Sequence, residues 1–87
     1  MNDEFMLRKL TLLVKKHSID MHYFSVNEAL ECALLAEEYK KKVGPFDVAF
    51  EHFAQQQTDY ENIAIFMERI ETSPDSELKE RMRQLTF

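Results

Sequence analysis

The sequence predicts an all-α fold: a single domain over residues 1–87, built as a small bundle of four to five short helices. Two sets of signals predict it. Ser25 with Glu28 and Thr58 with Glu61 are spaced as capping boxes, in which the hydroxyl accepts the amide of the third helical residue and the carboxylate reaches back to the cap amide. Gly44 with Pro45, and Ser73 with Pro74, are the stop and start signals that punctuate helices. Each signal borders a run in which apolar residues recur at helical spacing.

The first helix is expected over residues 3–17, with Phe5, Met6, Leu10, Leu13 and Val14 on its buried stripe, acids at its start and Lys15 and Lys16 near its end, in agreement with the helix dipole. Residues 18–24 place Ile19, Met21, Tyr23 and Phe24 around Asp20 and His22 and read as an apolar connector lying on the bundle. The second helix follows Ser25, carries Ala29, Leu30, Ala33, Leu34 and Ala36, and ends near Val43. Gly44, the only glycine of the chain, supplies the left-handed residue there, and Pro45 forbids continuation.

A third helix is expected to start at once, with Phe46, Ala49, Phe50 and Phe53 on one face and the three Phe at the centre of the core. The glutamines at 55–57 break the apolar period, and Thr58 then caps a fourth helix with Tyr60, Ile63, Ala64, Met67 and Ile70 inward. Ile65 and Phe66 fall outside that stripe, so this helix is apolar around more of its circumference than a solvent-facing helix needs. Ser73 caps a fifth helix with Pro74 at its first position and Leu78, Met82 and Leu85 on one side.

At 87 residues, with 45% apolar residues, seven Phe, five Met and no Trp, the chain can bury one modest core and leaves no room for a second lobe around a cleft. The one cysteine, Cys32, excludes an internal disulfide and points to the cytoplasm. The opening MNDEFMLRKL reads as neither a signal peptide nor an anchor, and the apolar run at 10–14 is far shorter than the roughly 20 residues that span a bilayer. Net charge is −5, and the excess lies in the second half: residues 46–87 hold nine Asp and Glu against four Lys and Arg. The only dense basic run, Lys40 to Lys42, closes a predicted helix where cations complement the dipole, so direct nucleic-acid binding is not expected.

No catalytic constellation stands out. His17, His22, Cys32 and His52 lack the short spacings that preset a zinc site, and the carboxylate pairs Glu37 and Glu38, Glu68 and Glu71, and Glu77 and Glu80 lie on predicted polar faces rather than in a dry pocket. One glycine cannot build a phosphate loop. The chain therefore reads as no enzyme, with no cofactor and no metal, and surface binding remains. The candidate partner contacts are Ile65, Phe66, Tyr23, Phe24, Leu85 and Phe87, apolar groups bordered by acids. The end Gln84, Leu85, Thr86, Phe87 also resembles the short peptides with which replication and transcription proteins grip a sliding clamp.

Over residues 46–67, the order Phe46, Ala49, His52, Asp59, Glu61, Ile63, Ala64, Met67 resembles the small late-transcription coactivators of T4-like phages, and Leu78, Lys79, Arg81 and Met82 echo that family's next helix after an insertion around Pro74. The resemblance implies a helical, non-enzymatic adaptor that sits on host RNA polymerase and reaches the sliding clamp through its C-terminus. A protein partner of this kind, with no membrane involved, is the leading expectation. The alternative is a small acidic inhibitor, of an anti-defence or immunity type, whose residues 46–87 imitate a phosphate row and block a nuclease. A homodimer that buries the surplus apolar surface of helix four or five is compatible with either.

Overall fold

The computed structural model describes residues 2–86 and contains four helices in the order α1 (Asp3–Lys16), α2 (Val26–Val43), α3 (Ala49–Glu71) and α4 (Ser76–Arg83). Among the described residues none of the helices is long and apolar enough to cross a membrane. α3 is the central element. α1 packs on it along one flank, α2 along the other, and α4 crosses the end against both α3 and α1, in a body of 45 × 25 × 21 Å.

Each helix is closed by local chemistry. Asn2 accepts the amide of Phe5 to start α1, and the acids Asp3 and Glu4 sit in its first turn. α1 ends without glycine: the amide of Ile19 donates to the carbonyl of Val14 and that of Ser18 to Lys15, the paired bonds of a Schellman closure, and Ser18 takes the left-handed conformation at φ 53°. Ile19 and Val14 are both buried, which supplies the apolar clasp of that motif. Ser25 accepts the amide of Glu28, so the N-cap forms at the expected place, while the Glu28 carboxylate takes the Ser25 hydroxyl rather than the cap amide of a full capping box. Gly44 ends α2 at φ 81°.

The predicted third and fourth helices are one continuous helix, α3. Residues 49, 53, 56, 60, 63, 67 and 70 alternate steps of four and three, so the core-facing stripe runs through Gln56 without interruption. Thr58 caps nothing; its hydroxyl donates back to the carbonyl of Ala54, the way a mid-helix threonine satisfies itself. α3 instead starts after Val48, where the amide of Ala49 is taken by the Asp47 carboxylate. Similarly, α4 is capped by Asp75, whose carboxylate accepts from Glu77 and Leu78, while Ser73 accepts the amide of Asp75 one step earlier. Pro74 therefore precedes the cap rather than opening the helix.

The core lies where α1, α3, α4 and the connector meet, around Leu10, Val14, Met21, Ile63, Met67, Ile70 and Met82. The three Phe placed at its centre by sequence are not there. Phe46 is fully exposed in the turn between α2 and α3, and Phe50 and Phe53 are only half-buried, because they meet side chains of α2, Lys40 over Phe50 and Tyr39 on Phe53, rather than the core. Phe5 is likewise exposed, and its neighbour Leu7 takes the buried place. On α2 the buried residues are three alanines, Ala29, Ala33 and Ala36, at spacing four and three; small side chains let α2 lie close on the larger residues of α3, with Tyr39 stacked on Phe53 at 5.3 Å between ring centres. The connector is tied to the C-terminal end: the amide of Met21 donates to the carbonyl of Leu85, and Asp20 pairs with Thr86 in an isolated antiparallel bridge.

Candidate functional site

Among the described residues the one buried charged residue is Asp59, in the middle of α3. Lys16 Nζ and His17 Nε2 both donate to its Oδ2, at 2.6 and 3.0 Å, and Gln55 Nε2 donates to Oδ1 at 2.9 Å. Burial pushes the Asp59 carboxyl up, but the three hydrogen bonds and the Lys16 charge outweigh it and hold the group below its ordinary value. His17 also stacks on Tyr60 at 4.7 Å. The cluster pins the C-terminal end of α1 to α3. It contains a carboxylate–histidine pair, yet among the described residues no hydroxyl or thiol hydrogen-bonds to that histidine, so the pair has no nucleophile to activate. Cys32 is half-buried; burial, then the charges of Glu28 and Glu31, push its thiol up and away from reactivity. Among the described residues no three His, Cys, Asp or Glu side chains assemble a metal site.

What remains is a face. Two grooves run along the flanks of α3. The first, of about 380 Å³, lies between α1 and α3 and is lined by Phe5, Lys9, Leu12, Leu13, Asn62 and Phe66. The second, of about 250 Å³, lies between α2 and α3 and is lined by Leu30, Ala33, Leu34, Glu37, Gln57 and Glu61. At about 100° per residue, Ile65 falls on the crest of α3 between Glu61 and Asn62, so the grooves open on the same side and Ile65 stands between them. Leu12, Leu34, Ile65, Leu30 and Phe5 are exposed by 61, 60, 48, 46 and 44% respectively. These exposed apolar side chains line the two grooves and the ridge between them, on three helices.

The sequence-derived contact residues are therefore divided. Ile65 and Phe66 lie on this face, Phe66 half-buried against the core and Ile65 free. Tyr23 is exposed on the connector beside His22, and Phe24 packs on the core near Tyr60; neither joins the face. Leu85 packs against the core and its carbonyl is held by Met21, so it is an anchor of the fold rather than a free clamp-binding peptide. Phe87 lies outside the described residues. Phe5, Leu12, Leu30 and Leu34 are the members that sequence reasoning missed: periodicity puts Phe5 on the buried stripe of the first helix and Leu30 and Leu34 on the apolar run of the second, and leaves Leu12 unplaced, because it identifies an apolar face but not whether a neighbour covers it.

Four of the nine acids of residues 46–87 are committed within the fold. Asp47 and Asp75 hold backbone amides, Asp59 is in the interior and Glu71 pairs with Arg83. The basic triplet is equally engaged: Lys41 pairs with Glu37, and Lys40 and Lys42 lie over the rings of Phe50 and Tyr39. Comparison of the chain with protein-family models, curated proteins and solved structures returned no match.

Proposed function

We propose that this protein is a non-enzymatic adaptor that modulates a larger protein machine by docking through the three-helix face, with RNA polymerase as the partner. The observation that carries the reading is the uncovered row of Leu12, Ile65, Leu30 and Leu34, large aliphatic side chains held on rigid helices where the fold gives them nothing to pack against. Such preformed anchors bind with little ordering cost. The resemblance of residues 46–67 to phage late-transcription coactivators supplies the identity of the partner, and the residues of that stretch lie in the turn before α3 and along α3 itself. A clamp contact through the C-terminal end is not part of this reading, since Leu85 is tied into the core.

The test is direct binding of the purified chain to purified bacterial core RNA polymerase. Binding is expected to persist at high salt, because apolar docking is not screened, and to fall at least about tenfold with Ile65→Glu or Leu12→Glu, which place a charge on an exposed position without touching the core. Absence of binding, or binding that both variants retain, refutes the reading.

A further inference from the structure

The docking face is electrostatically divided along its length. Its α1 half carries Lys9 in the groove and Arg69 on the adjoining flank of α3; its α2 half carries Glu61 in the groove and Glu68 on the other flank, as about 100° per residue from Ile65 requires. Among the described residues none of these four side chains has an ion-pair partner. Glu37, also in the second groove, is already neutralised by Lys41. A face that is basic on one side of a ridge and acidic on the other, with apolar residues on both, is complementary to itself.

We propose that in the free protein this face closes on a second copy of the same chain, as an isologous dimer whose two-fold axis runs along α3 over Ile65. Rotation about that axis preserves height along α3 and exchanges the flanks, so the α1–α3 groove of one copy meets the α2–α3 groove of the other. Lys9 lies level with Asn62 and Phe66, with which it shares a groove, and Glu61 is within about one turn, 5.4 Å, of that level, inside the reach of a lysine side chain. Lys9 then meets the partner's Glu61 and Arg69 the partner's Glu68, while Leu12 enters opposite Leu30 and Leu34. A two-fold axis perpendicular to α3 instead sets like charge against like charge, so the charges select the parallel arrangement. The dimer covers the adaptor face and must open for that face to reach another protein.

Analytical ultracentrifugation of the purified chain tests this. Wild type is expected to sediment as a dimer that dissociates on dilution. Ile65→Glu is expected to be monomeric with unchanged helicity and to melt at the temperature of wild type diluted to monomer. Lys9→Glu and Glu61→Lys each act twice across the axis and are expected to raise the dissociation constant about tenfold, and the double variant K9E/E61K to return it to within about threefold of wild type. A monomer at all concentrations up to about 0.1 mM, a dimer that survives Ile65→Glu, or a double variant no better than the singles overturns the proposal. The two readings fail separately: a monomeric chain that binds polymerase through Ile65 overturns the dimer alone, and a dimer indifferent to polymerase overturns the adaptor alone.

Discussion

Replacing Asp59 by alanine removes the acceptor of three donors at once, and the structure lets the cost be divided. Lys16 is half exposed and regains water when released, so its bond contributes under about 1 kcal/mol. His17 is nearly buried, and leaving its ring N–H without an acceptor costs about 1–2 kcal/mol. Gln55 is exposed and adds about 0.5 kcal/mol. Relief of the buried charge offsets part of this, leaving about 2 kcal/mol. With about 2.1 cal/mol/K of unfolding entropy per residue, 87 residues give about 0.18 kcal/mol/K, so Asp59→Ala lowers Tm by about 11 °C at neutral pH.

The same residue imposes a pH signature. The folded carboxyl titrates below its ordinary value of 3.8, so the native state favours the ionised form; the stabilisation is fully present above the unfolded value and is lost as pH falls through the folded one. The Tm difference between wild type and Asp59→Ala should hold from neutral pH down to about pH 5 and collapse below 3.8. Thermal melts followed by circular dichroism at a series of pH values measure both. A difference under about 3 °C at neutral pH, or one that persists unchanged at the acid end, refutes the assignment of Asp59 as the ionised anchor of α1.

Thr58→Ala should change stability by less than about 0.5 kcal/mol in denaturant unfolding, since no helix starts there, whereas loss of a true N-cap costs about 1 kcal/mol. Phe46→Ala should be equally silent because the ring is fully exposed, while Met67→Ala, which empties a fully buried site, should cost about 2–5 kcal/mol in the same assay. Ser18→Gly should stabilise by about 0.5–1 kcal/mol by relieving a left-handed serine, and Gly44→Ala should destabilise by about 1 kcal/mol through its positive φ alone, as an added Cβ meets nothing within 4 Å.

Much of the helical plan was legible in the residues. Ser25, Gly44 and the alanine row of α2, and the stripe Ile63, Ala64, Met67, Ile70 of α3, are where local chemistry and periodicity agree, and the structure follows them. The misreadings share one cause. Thr58 followed by Glu61 has the spacing of a capping box, but a box forms only if the chain before it leaves the helix; residues 49–57 remain helical, and the stripe continues through Gln56. Phe46, Phe50 and Phe53 have the spacing of a buried face, but burial needs cover on several sides, and at the tip of the α2–α3 hairpin Phe50 and Phe53 meet α2 side chains rather than the core while Phe46 stays exposed.

The sequence by itself determined that the chain is all-helical, where α1 and α2 begin and end to within a residue or so, and which side of α3 faces inward, because caps, dipoles and apolar periodicity act over one or two turns. Only the tertiary structure decided that α3 is one helix rather than two, that Asp59 is an interior anchor, that Leu85 belongs to the core, and that Leu12, Ile65, Leu30 and Leu34 share one uncovered face. Each of these depends on which side chains from distant parts of the chain arrive at the same place, and that is set by how the helices pack rather than by any local pattern of residues.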